Sequence, residues 1–193
     1  MDAHKTYQDG LDDAFDRDIH YRTSFIHAAT VIEELMGHCI AWHFCEDEEK
    51  HLAFMSLLFI RGEITFSKKI EIFEFIFKES YPDLYEEVPD LINKLHSLRR
   101  MRNKFAHTGL MTSKDKEQVG KALLLRYLNR NGKMVDEVIS DKDLRYQLAI
   151  SNEMCWTFIY LFDEIRHRAR GGEPRKIKDQ LGTDAGRAID FGV

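Results

Sequence analysis

Apolar residues in this chain recur three and four positions apart over most of its length, and that period changes only once. A repeat near 3.6 fits helices and is incompatible with strands, so it restricts the chain to a mostly helical fold. From about Asp16 to Phe44, residues Phe25, Ala29, Ile32, Met36, Cys39 and Ile40 fall on one face. The charged run Glu46–Glu49 interrupts the pattern, and a shorter apolar helix is expected from about Lys50 to Ile60, closed by a turn at Arg61-Gly62-Glu63. A third helix is expected over Thr65–Ser80, with Phe66, Ile70, Phe73 and Phe77 as its stripe, stopped by Pro82. Pro89 suits the first turn of a fourth helix that runs to about His107, with Gly109 as its cap.

The period then shifts. Residues 110–119 read as a polar loop, after which Lys121–Leu128 and Met134–Ile139 flank Asn129-Arg130-Asn131-Gly132, a hairpin signal. Ser140, with Asp143 three positions on, offers a cap for a last helix over Asp141–Arg168, lined by Leu144, Leu148, Phe158, Leu161, Phe162 and Ile165. The expected fold is all-α: an up-and-down bundle of about five helices with a small β-hairpin inserted before the last. Residues 1–15 read as a polar arm or short helix, 16–169 as the helical domain and 170–193 as a weakly ordered tail.

A length of 193 residues suits one domain with a real core, and the net charge of −5 argues against a general nucleic-acid coat. The three cysteines, Cys39, Cys45 and Cys155, follow no disulfide spacing, and Cys39 and Cys155 fall on packed helices. The opening MDAHKTYQDG lacks a signal-peptide layout, and the longest apolar stretch, Leu52–Ile60, is too short to span a bilayer, so a cytoplasmic protein with no membrane contact is expected.

One segment departs from this ordinary pattern. Leu91, Leu95, Leu98 and Phe105 share a stripe, and Arg102 falls within it. Arginine is rarely buried without a partner. Asn103 and His107 are four residues apart, on one side of the same helix. From Leu91 to Lys114 the chain carries Lys94, Arg99, Arg100, Arg102, Lys104 and Lys114 and no acidic residue. That reversal of sign suits a phosphate, with Arg99, Arg100 and Lys104 as binding candidates, although a helix C-terminus favours cations by itself.

The stretch Leu98-Arg99-Arg100-Met101-Arg102-Asn103-Lys104-Phe105-Ala106-His107 resembles the signature of the HEPN superfamily, an Arg, often followed by Asn, then three residues and a His. The entry Thr65-Phe66-Ser67-Lys68-Lys69-Ile70 is similar to that of some bacterial members. The resemblance implies a helical homodimer and, in many members, a metal-independent endoribonuclease of toxin–antitoxin or phage-defence systems, with RNA or a nucleotide as ligand, no cofactor and an antitoxin-like protein as a further partner. It places Arg102 and His107 as the catalytic pair, with Asn103 beside them. Such proteins often steady the Arg with a carboxylate, for which Glu34 is the candidate here. The alternative is a non-catalytic helical module that binds nucleotide, RNA or protein.

These side chains suit the chemistry. The ribose 2′-hydroxyl is itself a nucleophile, so cleavage needs a proton carrier and a fixed cation. Within one helix, however, five residues set Arg102 and His107 about 140° apart. Two copies meeting across a dimer axis would remove that difficulty. Elsewhere, of His20, His27, Glu34 and His38 only Glu34 and His38 lie one turn apart, so a solvated polar face is expected rather than a metal site, Asp9, Asp12, Asp13 and Asp16 lack the offsets of a calcium loop, and Trp42 and Trp156 read as core.

Overall fold

The computed structural model describes residues 3–57, 64–111, 122–128 and 131–184. The chain is an all-α bundle with a small antiparallel sheet before its last long helix. In order, the elements are α1 (Ala3–Phe44), α2 (Glu48–Met55), α3 (Phe66–Ser80), α4 (Pro82–Glu87), α5 (Leu91–His107), β1 (Gly109–Met111), β2 (Ala122–Leu128), β3 (Met134–Ser140), α6 (Asp141–Ala169) and α7 (Lys178–Asp184). Among the described residues, no helix is long and apolar enough to cross a membrane.

Several boundaries follow from capping chemistry. The Thr65 hydroxyl accepts the Lys68 N–H at 3.3 Å and opens α3. Asp47 accepts the Lys50 N–H at 2.9 Å, so α2 begins at Glu48 rather than Lys50. The Ser140 hydroxyl accepts the Asp143 N–H at 3.1 Å and donates to the Asp143 carboxylate at 2.6 Å, which opens α6.

Other expectations are corrected. The helix expected from Asp16 begins at Ala3, so the stretch read as an arm or short helix is continuous with it. Pro82 not only follows α3 but opens the short helix α4, where its missing N–H leaves nothing unsatisfied, and Leu84 is fully buried. Gly109 does not cap α5. It begins β1, which pairs with β2 and enlarges the expected hairpin to three strands in the order β1-β2-β3. The register pairs Leu128 with Met134 and Ala122 with Ser140, around a turn in which Gly132 has φ +70, as the Asn-Gly signal requires. The second helix stops at Met55; residues 58–60, the turn at 61–63 and most of the 110–119 loop lie outside the described residues.

The chain divides into two compact units. Among the described residues, the first takes in those of 3–27 and 100–150, the second those of 28–99 and 151–184. In the first, Phe25 stacks on Phe105 with centroids 5.0 Å apart, and Leu125, Ile139 and Leu144 are buried. In the second, Phe73 packs against Phe77 at 4.9 Å and Phe158 at 5.3 Å, with Trp42, Ile32, Met36, Ile40, Ile70 and Leu95 buried. All three cysteines are free and buried, and burial pushes the Cys155 thiol up to about 12.

The segment after α6 is not the loose tail expected from residue 170. Gly171 adopts φ +81, its N–H donates to Arg168 O at 2.9 Å, and the Gly172 N–H donates to His167 O at 3.0 Å. This is a Schellman turn. The chain then returns to α6, where Arg175 binds Glu164 and Asp163 and Ile177 is buried. Residues 185–193 lie outside the described residues.

Candidate functional site

α5 buries Leu91, Leu95, Leu98 and Phe105, the stripe read from its spacing. Its last turn is closed at Thr108, whose N–H and hydroxyl both donate to Lys104 O, at 3.0 and 2.7 Å. The helix is therefore intact to His107. Arg102 lies half-buried, and its Nη1 donates to Asn103 Oδ1 at 3.2 Å. Asn103 and His107 are exposed. Because the helix does not fray, Arg102 and His107 stay about 140° apart and are not brought together within one chain.

The phosphate-binding candidates separate. Arg100 is exposed. Lys104 turns toward the sheet, where its Nζ lies 2.8 Å from both oxygens of Glu137 on β3. The Tyr127 hydroxyl on β2 donates to the same carboxylate at 2.9 Å. Burial pushes the Glu137 carboxyl up, and the hydrogen bonds from Lys104 and Tyr127 outweigh it, holding the group below its usual range. Lys104 is thus a structural partner of Glu137. Arg99, in the second unit, donates through Nη1 to the Ser67 hydroxyl, and its Nε is buried with no hydrogen-bond partner among the described residues.

Glu34, the candidate carboxylate for Arg102, is 67% exposed, and its ion-pair contact is with His38, 3.9 Å away. The buried carboxylate near the motif is a different one. Asp18 on α1 is 4% exposed and takes both ends of the Arg22 guanidinium, with contacts of 3.1–3.2 Å. Arg22 Nη1 then donates to Phe105 O and, at 2.9 Å, to Thr108 O. These carbonyls belong to the C-terminal end of α5, where helical partners run out. The guanidinium also lies 5.8 Å from the Phe105 ring centroid. Asp18 and Arg22 therefore clamp the end of the motif helix. Their spacing of four on a helix was visible in the sequence, but nothing local distinguishes that pair from an ordinary surface pair.

On the other flank of α1, Arg17, His20 and Tyr21 line an open groove of about 580 Å³ with Asp141, Arg145 and Leu148. The Tyr21 hydroxyl donates to Asp141 at 2.5 Å and Arg145 Nε donates to it at 2.8 Å. Burial, then the bond to Asp141, raises the Tyr21 pKa, whereas that bond holds the Asp141 carboxyl low. Asp141 is the one carboxylate among the described residues of this lining and faces both Arg145 and Arg17. Among the described residues no group of three or more His, Cys, Asp or Glu side chains is arranged to hold a metal ion.

No family model, no curated protein and no solved structure matches the chain.

Proposed function

We propose that this chain is a metal-independent endoribonuclease that works as a homodimer. The observation that carries the proposal is the placement of His107: an exposed imidazole in the last turn of a helix whose end is clamped by Arg22, one turn from the exposed Asn103. A fixed backbone carrying a solvent-facing imidazole suits proton transfer. Arg102, always charged, would stabilise the negative charge that develops on phosphorus when the 2′-hydroxyl attacks. Asn103, hydrogen-bonded to Arg102, orients it. The products would carry 2′,3′-cyclic phosphate and 5′-hydroxyl ends. A place in toxin–antitoxin or phage defence, with an antitoxin-like partner, rests on the HEPN resemblance of Arg102-Asn103 and His107.

One observation favours a second reading. Arg102 and His107 diverge by about 140° on an unbroken helix, so one chain alone does not build the pair. A module that only binds RNA or nucleotide through Arg100 and Asn103 would not need convergence. The deciding experiment incubates wild-type and His107→Ala protein with a mixed RNA pool in EDTA and analyses the end groups. Cleavage by wild type alone, leaving cyclic phosphates, supports the enzyme. Recovery of cleavage on mixing Arg102→Ala with His107→Ala protein would place the two side chains in one site contributed by two copies. No cleavage by any of these folded proteins supports the binding module.

A further inference from the structure

In the second unit, α2 meets α1 through the His51 ring and a stack of Phe54 on Phe44, with centroids 5.8 Å apart. Of its eight residues, only His51 and Met55 are buried. His51 is 4% exposed and stacks on the Trp42 indole of α1, with ring centroids 4.6 Å apart and planes at 18°. Its Nε2 lies 3.0 Å from His38 Nδ1, also on α1. Its Nδ1 is buried with no hydrogen-bond partner among the described residues.

This arrangement selects a protonation state. A bond between two imidazoles needs one ring to donate and the other to accept. If His38 donated, a neutral His51 would carry its proton on Nδ1, leaving a buried N–H with no acceptor, which is costly. If His51 donates through Nε2, its Nδ1 is only a bare lone pair, and the His38 proton sits on Nε2, facing Glu34 at 3.9 Å. The second state satisfies the site. Protonating His51 would then bury a cation with an orphaned N–H, and protonating His38 would either set two N–H groups against each other across 3.0 Å or move the His51 proton to the partnerless Nδ1.

The charged groups around the pair do not reverse this. Glu34 on α1 favours a charged His38, and Glu48 in the first turn of α2 favours a charged His51. Against them, Arg170 covers the Trp42 ring at 4.9 Å and is paired with Glu48 at 3.1 Å. Arg166 lies over Phe162, whose ring meets His38 edge-on at 5.6 Å. Burial lowers the pKa of both histidines, and for His51 the neighbouring His38 adds to it.

We infer that α2 is an acid-released element: it docks on α1 only while His51 is neutral, and it undocks locally when the His38–His51 pair takes up protons. The sign follows from linkage. The released state binds protons with an ordinary histidine pKa near 6.5, whereas the docked state resists them, so docking is complete above about pH 7 and weakens as pH falls below about 6.5. Each histidine that must stay neutral costs up to about tenfold in the docking equilibrium per pH unit.

Hydrogen exchange tests this on the full chain. Protection of the Glu48–Met55 amides would be measured at pH 7.5 and 5.5, corrected for the intrinsic exchange rate, with α3 as internal reference. In wild type, α2 should lose several-fold to about tenfold in protection at pH 5.5 while α3 does not. His51→Phe, which keeps a flat ring on Trp42, and His51→Gln, a polar non-titrating replacement, should each remove the pH effect. The inference is overturned if α2 protection is the same at both pH values, if α3 loses as much as α2, or if the pH effect survives in both variants.

Discussion

Helices α5 and α6 carry the same sequence signal at their C-termini: Lys104 and His107 on one, Arg166, His167 and Arg168 on the other. The end of α6, in the second unit, uses its cations locally. Arg168 binds the buried Glu164 at 2.7 Å and Asp83 at 2.7 Å, Arg166 binds Asp163 at 2.8 Å, and Arg175 returns to both acidic residues. Two glycines close the backbone, and at Gly172 a β-carbon would collide with the His167 ring at 2.2 Å. The end of α5, in the first unit, is capped instead by Arg22 of α1. Relieved of capping, Asn103 and His107 face solvent. The arginines in the last turn of α6 are held in ion pairs, whereas in that of α5 Lys104 is paired and the His107 ring is exposed.

The sharpest way to break that contrast is at His107. His107→Ala should reduce RNA cleavage by about 10²–10⁴-fold, the usual contribution of a general acid or base. It should leave stability within about 0.5 kcal/mol, read from urea unfolding. Equal losses in stability and cleavage would make the end of α5 structural, like that of α6. Glu164→Ala should behave in the opposite way. It removes the buried carboxylate shared by Arg168 and Arg175, which keep Asp83 and Asp163, and should cost about 1–3 kcal/mol.

Arg22→Met tests the clamp. It leaves Asp18 buried without its partner and two carbonyls uncapped, so a loss of about 2–3 kcal/mol is expected, with faster amide exchange confined to residues 105–109. Unchanged exchange there would mean that Thr108 alone holds the turn. The acid limb is a smaller effect. Burial raises the Glu164 pKa, but hydrogen bonds from Arg175 and Arg168 outweigh it and hold the carboxyl low. Its stabilisation is therefore complete above the ordinary glutamate value near 4.3 and is lost as pH falls through the lower folded value. Glu164→Ala should flatten that part of the stability curve. Arg102→Lys should be the smallest change, within about 0.5 kcal/mol in stability, since Arg102 is half-buried and its hydrogen bond to Asn103 is exposed.

Local chemistry made much of this legible beforehand. The stripes of α3 and α5 lie where their spacing sets them, and Ser140, Thr65 and Asn131-Gly132 mark the boundaries that their side chains or dihedrals favour. The motif helix ends at His107 as expected. Less accessible were elements with weak local signals. β1 is three residues long and exists because β2 offers it an edge, and α4 is a single short helix behind a proline that reads equally well as a stop.

The sequence by itself determined the long helices, the β2–β3 hairpin and the odd placement of Arg102, because each follows from interactions within a few residues along the chain. Tertiary structure alone decided which polar groups meet. Arg22 reaches carbonyls 83 and 86 positions away, Arg168 reaches Asp83 across 85, and His51 meets His38 only because α2 folds back on α1. Residue type makes such pairs available, but whether an arginine caps a helix, neutralises a carboxylate or faces solvent depends on which partners the packed core brings within about 3 Å.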